Sequence, residues 1–113
     1  MGYLQRYLHK LDLSVQAENP ELAGYYIHEL EELVAELAED RVVYEGHEVG
    51  ALTESMLTPA IEALESALET GGKADAAVGG LVAQCNACHV ATERSWMKVE
   101  RARSNPFNQD FSP

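Results

Sequence analysis

A chain of 113 residues, 46% hydrophobic and 24% charged, has room for one domain with an ordinary core, which excludes a two-domain enzyme. Nineteen acids against eight Lys and Arg give a formal charge of −11, the wrong sign for nucleic acid or for an anionic membrane surface. No apolar run is long enough to span a bilayer, and Met1–Leu13 lacks the apolar stretch and cleavage site of a signal peptide. The acid is uneven: residues 18–45 carry −8 and residues 46–72 carry −5, while the two ends carry +1 each. Such a face is a solvated helix surface or a surface that steers a basic partner.

Four helical stretches follow in chain order. Leu4, Leu8, Leu11 and Val15 form one apolar stripe over residues 2–16. Asn19-Pro20-Glu21 reads as a helix cap, a first-turn proline and an acid suited to the helix dipole. The second helix therefore starts at Pro20, with Leu22, Tyr26, Leu30, Leu33 and Leu37 inward, and runs to Val43 or Tyr44. Gly46 to Gly50 marks a connection, and Thr58-Pro59 a second cap-plus-proline start. The third helix covers 58–70, with Leu57, Ile61, Leu64 and Leu68 as its stripe and Gly71-Gly72 as its end. The fourth covers 73–98 and places Val78, Leu81, Val82, Cys85, Cys88, His89, Thr92 and Trp96 on one broad face. Gly79 and Gly80 inside it either permit close backbone approach or delay its start. Residues 105–113 are not helical, and Phe107 and Phe111 there are expected to dock on the bundle rather than fray. No strand alternation is present. The fold class is all-α: an antiparallel four-helix bundle, one domain over 1–113, with a non-helical C-terminal tail.

The chemistry sits at Cys85-Asn86-Ala87-Cys88-His89, the C-x-x-C-H signature of c-type haem attachment. Residues three and four apart share a helix face, so each thiol can form a thioether with one haem vinyl group while His89 serves as proximal iron ligand. The cofactor expected is one covalent haem c per chain. Three other readings stay open: a thiol–disulfide redox pair, which would want a strand–helix unit that is not present; a zinc site using both cysteines, His89 and a distant histidine; and structurally buried, inert cysteines. Covalent haem attachment takes place outside the bacterial cytoplasm, so a periplasmic location is expected, exported with a leader that this sequence lacks. A haem also fills core volume, which suits an aromatic content of 7%.

A four-helix bundle with its single C-x-x-C-H on the last helix resembles cytochrome c-prime, the class II c-type cytochromes. The resemblance covers residues 1 to about 98, and the tail Pro106-Phe107-Asn108-Gln109-Asp110-Phe111 is similar to tails of small bacterial proteins of this kind. It implies a haem held inside the bundle, with Cys85, Cys88 and His89 carrying over directly. It implies that a first-helix residue meets the opposite face of the haem. An apolar residue there leaves iron five-coordinate and open to small gases, and a methionine or histidine makes it six-coordinate. The family places an arginine four residues after the motif histidine. Here Glu93 stands there and Arg94 follows, a rotation of about 100° that puts an equivalent role for Arg94 in doubt.

On the distal side the first helix offers Leu8 or Leu11, giving five-coordinate iron, or His9, giving bis-histidine ligation. His28 and His47 read as solvent-facing, and Met56 and Met97 as packing residues. Arg94, Lys98, Arg101 and Arg103 are a solvated basic end or neutralise the haem propionates, and Tyr25 and Tyr26 either pack or hydrogen-bond a propionate. No triad, paired-carboxylate site or phosphate loop stands out, so an enzyme is not expected. Electron transfer with a basic redox partner is the leading expectation. Binding of nitric oxide or another small gas without turnover is the alternative, and a zinc-holding or metal-free structural bundle comes third. The acidic second helix favours a monomer over a symmetric dimer.

Overall fold

In the computed structural model, which describes residues 2–113, the apolar stripes lie on α1 (Gly2–Gln16), α2 (Pro20–Glu39), α3 (Val49–Thr70) and α4 (Ala74–Ala91). Met1 lies outside the described residues. Each helix packs on the next, and α1 closes against α4 with the least contact of the four pairs. The result is an antiparallel four-helix bundle. Leu8 and Leu11, Tyr26, Ile27, Leu30 and Val34, Leu57, Ile61 and Leu64, and Val78, Leu81 and Val82 make one continuous core. Burying a side chain of this size contributes about 1.5–3 kcal/mol, so the stripes dominate the stability. Asn19 caps α2 as expected: its Oδ1 accepts the Leu22 N–H at 3.1 Å, with Pro20 at the first helical position.

Three helix boundaries differ from the sequence expectation. α3 begins at Val49, not Thr58, and Pro59 lies inside it. A proline inside a helix costs about 3 kcal/mol in isolation. Here the buried residues Gly50, Thr53 and Leu57 hold the preceding turns on the bundle. Gly50 is therefore a helix residue, and its lack of a side chain is required, because a Cβ would collide with the Leu37 carbonyl. α2 ends at Glu39, not Tyr44, and α4 at Ala91, not Lys98. Gly79 and Gly80 lie within α4, and neither presses its Cα on a neighbouring backbone.

One device explains both early stops. After α1, α2 and α4 a non-glycine residue takes left-handed φ: Glu18 (57°), Arg41 (51°) and Glu93 (61°). In each case the next N–H reaches back to the helix: Asn19 to Ser14 O at 2.9 Å, Val42 to Leu37 O at 3.3 Å, Arg94 to His89 O at 2.7 Å. These are Schellman ends, which glycine usually supplies. Only α3 uses glycine, Gly71 at φ 68°. Between α2 and α3, Glu45 and Gly46 (φ 48° and 81°) form a tight turn closed by mutual Tyr44–His47 backbone bonds, both 3.0 Å.

Beyond Thr92 the described chain carries no helix and runs back over α1 as a strap. Asp12, 2% exposed, accepts Arg101 Nη2 at 2.7 Å, Arg101 Nε at 3.0 Å and the Ala102 N–H at 2.7 Å. Further along, the Phe107 ring meets His9 edge to face at 5.0 Å and Lys10 Nζ at 4.9 Å. Gln109 Nε2 donates to the Tyr26 hydroxyl at 2.8 Å, and Phe111 is buried. The tail is docked.

Candidate functional site

The short α1–α4 contact leaves a cavity of about 330 Å³. α1 contributes Gly2, Leu4, Gln5 and Leu8; α2 contributes Leu30; α3 contributes Thr53, Leu57 and Ile61; α4 contributes Leu81, Cys85, Cys88 and His89; and the strap contributes Met97, Lys98 and Val99. The volume lies at the lower end of small-ligand sites, and the wall is mostly aliphatic. All three motif residues reach it because α4 continues through them, and its Schellman end begins immediately after.

The strap orients the motif. A carbonyl oxygen can only accept, so the 2.8 Å contact between His89 Nδ1 and Met97 O places the imidazole proton on Nδ1. Nε2 then keeps its lone pair, the arrangement that suits a metal-ligating histidine. Asn86, inside the motif, fixes the same segment: its Nδ2 donates to Val99 O at 2.9 Å and its Oδ1 accepts the Val99 N–H at 2.7 Å. Sequence reasoning passed over Asn86; its signal was a polar side chain in a helical turn otherwise committed to the site. Burial pushes the Cys85 thiol up to about 11, with Cys88 beside it adding to the rise, and burial also raises Cys88. Both are therefore held as protonated thiols at neutral pH.

The candidate distal ligand stands elsewhere. His9 lines a neighbouring cleft, where its Nε2 donates to Ser104 O at 3.0 Å and its ring packs on Phe107. The α1 side of the cavity is formed by Leu4 and Leu8 with Gly2 and Gln5, while Leu11 is fully buried in the core. Of the methionines, Met97 lines the cavity and Met56 does not. His28 pairs with Glu32 on the surface at 2.7 Å. His47, expected to face solvent, is half-buried 3.5 Å from Glu93, because the turn before α3 folds against the end of α4.

Among the four basic residues after the motif, Lys98 alone lines the cavity. Arg94 lies over the Tyr44 ring and pairs with Glu45 at 2.6 Å. Arg101 binds both Asp12 and Asp75, each at 2.7 Å, and Arg103 pairs with Glu100 at 3.1 Å. Tyr26 is buried against Gln109, Tyr25 is exposed, and neither reaches the cavity. Trp96, placed on the α4 face by the sequence, is 73% exposed because the helix stops before it.

Among the described residues no three His, Cys, Asp or Glu side chains converge as a metal cluster. The donor set thus offers two thiols three residues apart and one imidazole with a free nitrogen, beside an aliphatic slot. That combination fits a haem, which needs one protein nitrogen and an apolar bed, better than zinc, which needs four converging donors. Among the described residues no helix is long and apolar enough to cross a membrane. Comparison of the chain with protein-family models, with curated proteins and with solved structures gives no match.

Proposed function

We propose that this chain is a c-type haem protein of the cytochrome c-prime kind, whose iron binds nitric oxide or another small gas without turnover. The observation that carries the haem reading is the Met97 carbonyl, which accepts the Nδ1–H of His89 and leaves Nε2 unprotonated, with His89, Cys85 and Cys88 all lining the cavity. Haem when bound would supply an iron centre for a small ligand. The chain's own residues attach it through two thioethers, hold the imidazole in one tautomer and exclude water with Leu4, Leu8, Leu30 and Leu57. The gas reading is favoured over the carrier by the α1 wall, where aliphatic side chains stand and His9 is turned away.

Electron transfer is the second reading, which the acidic surface favours. In that case the −13 carried by residues 18–72 suits a basic redox partner. Covalent attachment implies the periplasm in either case.

The test is expression with a haem-maturation system, followed by a covalent-haem stain and optical spectra of the reduced protein with and without carbon monoxide. A stained band with a high-spin spectrum that shifts with the gas is the expected result. A low-spin spectrum indifferent to carbon monoxide would move the assignment to the carrier. Absence of covalent haem would end both readings and return the chain to a structural bundle.

A further inference from the structure

The strap touches both helices of the pair that packs least, α1 and α4. Met97 O and Val99 bind α4, through His89 and Asn86. Ala102 and Ser104 bind α1: Ala102 O accepts Gln16 Nε2 at 3.1 Å, the Ala102 N–H donates to Asp12, and Ser104 O meets His9. Between them Arg101 spans the seam itself. Its Nη2 lies 2.7 Å from Asp12 on α1 and 2.7 Å from Asp75 on α4. Residues 97–104 thus stand in for the packing that α1 and α4 lack.

This cover is thin. No side chain from Arg94 to Ser104 is buried, whereas Thr92 before the segment and Phe111 beyond it are. A segment with few buried apolar contacts opens at low free energy while its anchored ends stay in place. Met97, Lys98 and Val99 in this segment line the cavity, and so do the buried Cys88 and the half-buried Cys85.

We propose that residues 94–104 form a gate over the cavity, hinged at its two anchored ends and latched by Arg101, through which an occupant reaches Cys85 and Cys88. The proposal holds for any occupant and does not depend on the haem reading. The other three helix pairs close by side-chain packing, so the α1–α4 seam is the side that discrete polar bonds hold shut. Lifting the segment takes Met97 O from His89 and Val99 from Asn86. One motion therefore exposes the thiols and frees the imidazole, and closure restores the Nδ1–H tautomer. On the haem reading, closure after attachment sets the proximal nitrogen.

The experiment follows iodoacetamide labelling of Cys85 and Cys88 in the full chain without cofactor, at fixed pH and increasing urea. In the unaltered protein, labelling should pass through an opening that matches amide exchange at Val99 and Ala102. That opening should depend weakly on urea and lie well below global unfolding. Arg101→Gln should speed labelling by at least about tenfold, since losing the partner of a buried charge is strongly destabilising. Arg103→Gln removes the same charge from an exposed pair on the same strap and should change the rate by less than about twofold. Labelling of the unaltered protein as fast as that of an unfolded chain would show the thiols open without the gate and overturn the proposal. Labelling that occurs only with global unfolding would overturn it too. Equal rates in the unaltered protein and Arg101→Gln would remove Arg101 as the latch and overturn the proposal as stated. None of these results touches the haem reading, which the covalent-haem stain decides.

Discussion

The α2–α3 pair and the strap after Thr92 are held by different physics. α2 and α3 meet through aliphatic residues such as Ile27, Leu30, Ile61 and Leu64, all 3% exposed or less. That attraction is non-directional and independent of pH. The strap has few apolar anchors and is fixed by discrete polar contacts: Arg101 and Ala102 on Asp12, Val99 on Asn86, Met97 on His89. The bundle therefore supplies the cavity's bed, and the strap supplies the orientation of the proposed iron ligand. Stability and site geometry can fail separately.

The largest expected effect sits in the bundle. Leu64→Ala, at a fully buried position, should cost about 3 kcal/mol in urea unfolding while leaving strap amide protection in the folded state unchanged. Loss of protection at Val99 and Ala102 in that variant would show that the two regions are one cooperative unit.

Asp12→Asn attacks the strap instead. It leaves Arg101, about a third exposed, with one partner fewer, and should cost roughly 2 kcal/mol. Amide exchange at Ala102 and Val99 should quicken, with helical circular dichroism retained.

Acid should act on the same point. Burial alone would raise the Asp12 carboxyl, but the Arg101 hydrogen bonds, the Ala102 N–H and the Gln16 amide together hold it below the usual range. The group's folded pKa is thus depressed. Its stabilisation is fully present above the unfolded value of about 3.9 and is lost as pH falls through the folded one. Below pH about 4, the amide resonances of Ala102 and Val99 should report strap release before helicity falls. Simultaneous loss of both signals would contradict separate anchoring.

The smallest effect is a gain. Glu18→Gly and Arg41→Gly relieve left-handed strain at exposed helix ends and should each add about 0.5–1 kcal/mol to the unfolding free energy, with no change at the strap.

Those same positions explain where the sequence was hard to read. The stripes of α1 and α2 were legible because amphipathic periodicity is a local property. The ends of α2 and α4 were not, because Arg41 and Glu93 take a conformation that sequence reading assigns to glycine. Pro59 misled for the converse reason: a residue that usually opens a helix sits inside one, held by the burial of Leu57 before it and Ile61 after it. Cys85, Cys88 and His89 were legible as a group from spacing alone.

By itself, the sequence determined the all-helical class, the four stripes and the grouping of Cys85, Cys88 and His89, because all three depend on residues within a few turns of one another. Tertiary structure decided which side chains line the cavity and which do not: Leu4 and Leu8 turned in, His9 turned to Ser104. It also decided the tautomer of His89, through a carbonyl eight residues away on a strap that Asp12 holds from the far end of the chain. Those outcomes rest on contacts between distant segments, whose geometry is fixed only when the bundle closes and α1 and α4 are left apart.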